Sequence, residues 1–206
     1  MAVNPAYRIE TDRLLLRCWS PDDAHRLRPA LDRSADHLRP WIPFMKDEPR
    51  DLRQTADWLA DIRAMFDRRE NFRYGVFEKD SGELVGENML LTRAGPGALE
   101  IGYLTHLGFE GKGYASEATA AMIRVGFEVH DAGRLEIHCA EDNLASAAIP
   151  ARFGFRHDGT LRERAPDTEG GIHDLMIWSL MQSEYPESSA GSLSLSAWDQ
   201  LEQRLI

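Results

Sequence analysis

Glu110-Gly111-Lys112-Gly113-Tyr114-Ala115-Ser116-Glu117-Ala118 lies between a strand-like run and a long amphipathic one. Two glycines one residue apart let the backbone turn tightly and approach a ligand closely. The N–H groups of a first helical turn have no partner inside the helix, and the positive end of the helix dipole stands behind them. Lys112, one of three lysines in the chain, adds charge at that point. The stretch reads either as a phosphate cradle or as a plain turn before a helix. A Walker loop requires Ser or Thr after its lysine, and Gly113 follows Lys112. A dinucleotide fingerprint requires a third glycine where Ser116 stands. Both nucleotide readings fail on residues.

Outward from the loop the patterning is mixed. Leu99–Thr105 before it is a strand, and Ala115–His130 after it is a helix with Ala118, Met122, Val125 and Val129 on one face. Upstream, Arg13–Trp19 reads as a strand. Ser20-Pro21-Asp22-Asp23 starts a helix with a serine cap, an early proline and two acids, running to about Arg33. Arg50–Arg69 is a second helix, and 72–78 and 84–91 are strands about the Lys79–Gly82 turn. Downstream come a strand at 134–140, a short helix at 144–153 and strands near 155–164 and 172–180. This order gives an α+β (mixed α/β) fold rather than a fully parallel one.

At 206 residues and 43% apolar composition, one domain with a sizeable core is expected, placed at 7–182. Ser183–Ser196 holds six serines with Pro186 and Gly191 and reads as a linker. Ser196-Ala-Trp-Asp199 resembles a helix cap, so 197–206 is expected to be a short amphipathic helix with Trp198, Leu201 and Leu205 aligned. The net charge of −10 and the lack of a basic block argue against nucleic acid as a partner. That charge favours cationic partners or only keeps the surface solvated. Two cysteines, Cys18 and Cys139, give no disulfide framework. No run is long and apolar enough for a membrane span or a signal core, so no membrane partner and a cytoplasmic location are expected. The seven histidines show no ligand spacing, so no metal is expected.

With these residues in view, the chain resembles the GNAT superfamily of acyl-CoA-dependent N-acetyltransferases. Its pyrophosphate loop reads [RQ]-x-x-G-x-[GA], which Gly113 and Ala115 match; Glu110 stands where the family has Arg or Gln. The likeness extends to the RimJ/RimL branch, which acetylates protein N-termini. It runs through Thr11-Asp-Arg-Leu14, His37-Leu-Arg-Pro-Trp41-Ile-Pro43, Leu99-Glu-Ile-Gly-Tyr103, Asn143-Leu-Ala-Ser146, Phe153-Gly-Phe155 and Gly170–Asp174 with Trp178-Ser-Leu180. These stand in family order over most of the chain.

The resemblance implies a central, mostly antiparallel twisted sheet of about seven strands with a splayed parallel pair. It implies acetyl-CoA as co-substrate, its pantetheine along Tyr103, Leu104 and Thr105. Its pyrophosphate would lie on Gly111, Lys112, Gly113, Tyr114 and Ala115. The acceptor is a primary amine, a protein N-terminus or a small molecule. Glu100, in an otherwise apolar strand, is the first candidate for general base, with a solvent-facing glutamate as the plainer reading; Glu163 is the second. Many family members place a tyrosine acid where this chain has Pro150. Ser146 of the branch's N-x-x-S is then the hydrogen-bond donor to the leaving thiolate, or else a helix-start serine. Asn143 caps that helix and is a further cofactor contact. Pro150 removes a helical hydrogen bond and frees the Ser146 carbonyl. Trp41, Ile42, Pro43 and Phe44 form either core or the wall of the acceptor cleft. A homodimer is compatible with the apolar loop and tail. Glu110 and Pro150 leave a second hypothesis open, a non-catalytic acyl-CoA-binding or sensing module.

Overall fold

The computed structural model describes residues 4–168 and 170–206. Among the described residues, nine strands form one sheet in the order β7-β8-β6-β5-β4-β3-β2-β1-β9. They are β1 Arg8–Glu10, β2 Leu14–Cys18, β3 Asn71–Glu78, β4 Leu84–Leu91, β5 Ala98–Thr105, β6 Arg134–Ala140, β7 Arg156–Pro166, β8 Ile172–Met181 and β9 Ser196–Trp198. All neighbours are antiparallel except β5 and β6. The α+β class and the single parallel pair are as expected. The count exceeds seven because β1 and β9 are three-residue strands, too short to leave a period-2 signal.

Helix α1 spans Ala24–Leu38 and α2 spans Leu52–Asp67. A 3₁₀ turn at Pro21–Asp23 precedes α1, where Asp23 accepts the Ser20 N–H at 3.0 Å and two bonds from Arg17 at 2.6 and 2.7 Å. The helix outruns Arg33 because Leu38 extends the buried stripe of Leu27 and Leu31. Asp51 opens α2 with a reciprocal cap. Its carboxylate accepts the Gln54 N–H at 2.8 Å, and the Gln54 side chain accepts the Asp51 N–H at 2.9 Å.

Helix α3, Tyr114–Arg124, continues as a π-helical turn over Val125–Val129 and carries the chain from β5 to β6. Alternation divides the sheet between two apolar clusters. Leu14, Leu16 and Val76 pack with Ala118 and Met122 of α3. Leu15 and Phe77 pack with Leu27, Leu31 and Leu59 of α1 and α2. Helix α4, Leu144–Arg152, follows β6.

The tail differs from expectation. Residues 183–196 are not a linker, since Ala190 is fully buried and the Ser188 hydroxyl donates to the Phe153 carbonyl at 2.7 Å. Nor are residues 197–206 a helix. Strand β9 pairs with β1, and the Tyr7 N–H donates to the Trp198 carbonyl at 2.7 Å. Asp199 accepts the N–H groups of Leu201 and Gln203 at 2.8 and 3.0 Å, so it caps a turn that sends the chain back along β9. The cap residues were legible, but a buried β1 edge offered a better partner than a short isolated helix.

Candidate active site

The parallel pair is the source of the site. β5 and β6 are in register at Ala98/Arg134, Leu99/Leu135 and Glu100/Glu136, and no further rung joins them although both strands continue. Beyond Glu100 the β6-facing edge of Ile101–Thr105 is therefore open. A cleft of about 600 Å³ opens there. Its walls include Trp41, Ile42, Phe44, Trp58, Arg73, Glu100, Tyr103, Leu104, His138, Asn143, Ser146 and His173.

The aromatic wall is fixed by charge. Phe44 and Trp58 lie 5.1 Å apart, and the Arg73 guanidinium sits 5.5 and 5.2 Å from their rings. Arg73 is held in turn by two 2.7 Å bonds to buried Glu87, which also accepts the Trp19 indole N–H at 2.9 Å. Opposite, His173 lies 5.6 Å from the Trp41 ring and 3.2 Å from Asp142. The Thr168 hydroxyl donates to the Arg39 carbonyl at 2.9 Å. These contacts bring the β7–β8 connection against the Trp41 loop.

Glu100 is buried at the last paired rung. Arg93 donates to both its oxygens at 2.7 and 2.6 Å, and His138 lies 3.5 Å away. His138 also contacts Glu136 at 2.7 Å. The plainer reading of Glu100 on the solvent face does not hold. Sequence reasoning missed Arg93 and His138. The alternation Glu136–His138 becomes informative only once β6 is paired with β5.

Glu163 is not brought into the cleft. Between Leu161/Leu175 and Ala165/His173, β7 carries two more residues than β8. Glu163 sits in this irregularity with φ 51°, exposed, its N–H donating to Asp174 at 2.7 Å. Ala165 lines the cleft instead. The surplus residues leave Glu163 in a left-handed conformation out of the regular ladder, and residue type carries no sign of such an irregularity.

Asn143 caps α4, its side-chain oxygen accepting the Ser146 N–H at 3.0 Å. The Ser146 hydroxyl donates to the Tyr103 hydroxyl oxygen at 3.1 Å, and the Tyr103 hydroxyl donates to the Ser146 carbonyl at 2.8 Å. Burial pushes the Tyr103 phenol well above its usual range, so it stays protonated at neutral pH.

At the N-terminus of α3, Gly111 and Gly113 adopt φ 71° and 83°. Among the described residues, the N–H groups of Gly113, Tyr114, Ala115 and Ser116 find no protein acceptor. The loop is braced from the first strands. Arg13 donates to the Lys112 carbonyl at 3.0 Å and to Glu117 at 2.6 Å, and Glu117 also accepts from the Thr11 hydroxyl at 2.5 Å. Glu110 turns back to accept the Gly108 N–H at 2.5 Å. Burial alone would raise its carboxyl, but the backbone donors of the turn outweigh it and hold it below the usual range. Backbone donors and positive-φ glycines beside an open strand edge fit a diphosphate with an extended amide-bearing arm.

A family model described as an acetyltransferase (GNAT) domain matches residues 13–156. The chain belongs to the GNAT acetyltransferase family. Its acetyl donor is acetyl-CoA. The uS5-alanine ribosomal-protein N-acetyltransferase of Escherichia coli is 28% identical over 164 residues, covering 77% of this chain and 83% of that protein. The structure of RimL, a ribosomal α-N-protein acetyltransferase in complex with coenzyme A, superposes with TM-score 0.76 at 20% identity, covering 87% of this chain and 97% of RimL. The microcin self-immunity acetyltransferase MccE, in complex with acetyl-CoA and AMP, gives 0.72 at 19% identity, covering 82% of this chain and 93% of MccE. Among the described residues no helix of this GNAT protein is long and apolar enough to cross a membrane. No group of three His, Cys, Asp or Glu among them could hold a metal ion.

Proposed function

We propose that this acetyltransferase moves the acetyl group of acetyl-CoA to the α-amine of a protein N-terminus, by direct attack in a ternary complex. The observation that carries this reading is the parting of β5 and β6 after Glu100, which opens an aromatic-walled cleft beside Ser146. Pantetheine pairs with the open edge at Tyr103, Leu104 and Thr105. The diphosphate rests on the N–H groups of Gly111, Lys112, Gly113, Tyr114 and Ala115. Asn143 flanks the arm.

The acceptor enters between Trp41, Ile42 and Phe44, where an N-terminal side chain finds apolar cover. An α-amino group has a pKa of about 7.7–8.0, so a useful fraction is neutral without strong help from a base. The amine proton leaves toward Glu100, which lines the cleft. As the carbon–sulfur bond breaks, Ser146 donates to the thiolate. The chain's charge of −10 suits basic tails such as those of ribosomal proteins.

The test is acetyl-CoA consumption against peptides with varied first residues, with polyamines and free amino acids alongside. Peptides are expected to turn over fastest, and Glu100→Gln to lower kcat by about tenfold or more. Turnover confined to small amines overturns the acceptor assignment. Coenzyme A binding with no turnover of any amine contradicts the enzymatic reading as a whole.

A further inference from the structure

Helix α4 contains a defect, and the defect meets the cleft. Pro150 lies four residues after Ser146 inside this helix and has no N–H to give. The Ser146 carbonyl therefore lacks its helical donor. Tyr103, on a different element, supplies one from its hydroxyl at 2.8 Å. The same phenol oxygen accepts the Ser146 hydroxyl proton at 3.1 Å. Three residues are thus locked together: the proline opens the carbonyl, the tyrosine fills it, and the serine hydroxyl is held by the group that fills it.

We infer that Tyr103 is a positioning residue for acetyl transfer, holding Ser146 where it meets the leaving sulfur. The inference rests on the role given to Ser146 above and extends it to a side chain for which only backbone contact was expected. A serine hydroxyl has one proton and two acceptor sites. At rest that proton stays on the serine and points at the Tyr103 oxygen. When a thiolate forms, the proton turns toward sulfur, and the Tyr103 O–H swings from the Ser146 carbonyl to the Ser146 oxygen. Both moves are rotations about C–O bonds, so no heavy atom shifts and no covalent bond changes in either residue. The added hydrogen bond polarises the serine hydroxyl as negative charge gathers on sulfur. The ring also keeps the serine from turning away. Without the phenol, Ser146 would bond back to a carbonyl one turn earlier, as serines inside helices do.

The test is steady-state kinetics of Tyr103→Phe, Ser146→Ala and the double variant, with acetyl-CoA affinity read by calorimetry and folding by thermal melting. Phenylalanine keeps the ring and the strand backbone. Tyr103→Phe is expected to lower kcat about tenfold, the size of one lost hydrogen bond in the transition state, with KM for acetyl-CoA within about twofold. The double variant is expected to be no slower than Ser146→Ala, because both changes remove one device. If Ser146→Ala is slow and Tyr103→Phe is within about twofold of wild type, the inference fails and the serine assignment stands. If Ser146→Ala is itself within about threefold of wild type, the serine assignment fails and takes the inference with it. A double variant slowed by the product of the two single losses shows independent action and also overturns it.

Discussion

Gly113, at φ 83° immediately before α3, is the residue on which the proposed donor site depends. A side chain there would have to adopt a backbone conformation that L residues rarely take, with the Arg13 guanidinium at ordinary contact distance, 3.4 Å. The positive φ of Gly111 and Gly113 was legible, because glycine recurs in a strand-to-helix turn where the backbone needs that freedom. The Asn143 cap was legible for a similar reason: it acts on its own next turn. Glu110 departs from the family pattern, and its carboxylate serves the turn at Gly108. The partners of Glu100 were not legible. Arg93 reaches it from a turn after β4 and His138 from β6, and only the folded register unites the three. Glu163 was misplaced because a bulge has no signature in residue type.

Elements with strong local determinants were readable from sequence. Helix α2 begins at a reciprocal cap and follows an apolar stripe of Leu59, Ile62 and Phe66. Strand β6 has the bounds expected, Arg134–Ala140, because its neighbours on both sides enforce alternation. Strand β9 was not readable. Three residues carry no period, and serine and alanine suit a linker as well as a close-packed edge. The C-terminal segment as a whole packs: Ala190 and Ala197 are fully buried, Arg8 stacks 3.7 Å over Trp198, and Tyr185 stacks 4.8 Å from Phe127. Ala197→Asp would bury an unpaired charge, so it is expected to cost about 3 kcal/mol or more in urea denaturation. Leu201→Asp, at a position 69% exposed, is expected to change stability by no more than about 0.5 kcal/mol. Equal effects from the two would mean that β9 is not docked.

At the scale of the whole molecule, stability should depend on pH through two buried histidines, His106 just after β5 and His130 after the π-helical turn. Burial, with Arg33 and His37 nearby, pushes His106 down to about 4. Burial also pushes His130 down to about 4, beside the Phe72 ring at 4.4 Å. In the unfolded chain each titrates near 6.5. The folded state therefore keeps both rings neutral while the unfolded state gains protons below pH 6.5. Their contribution is complete above that pH and is lost as pH falls toward 4. At pH 5 the loss is roughly 2 kcal/mol for each ring. Urea midpoints should fall steadily from pH 7 to pH 4.5; a flat profile would show that these rings are charged or solvated in the native state.

In the proposed reading, the parting of β5 and β6 leaves room for main-chain donors at the start of α3 to grip the diphosphate of coenzyme A. Calorimetric titration with acetyl-CoA tests it most directly, on wild type and on Gly113→Val. The account predicts saturable binding to wild type with Kd at or below about 100 μM, and at least about tenfold weaker binding to the variant, a difference of about 1.4 kcal/mol. No heat of association at millimolar acetyl-CoA, or equal affinity in the two proteins, would contradict it.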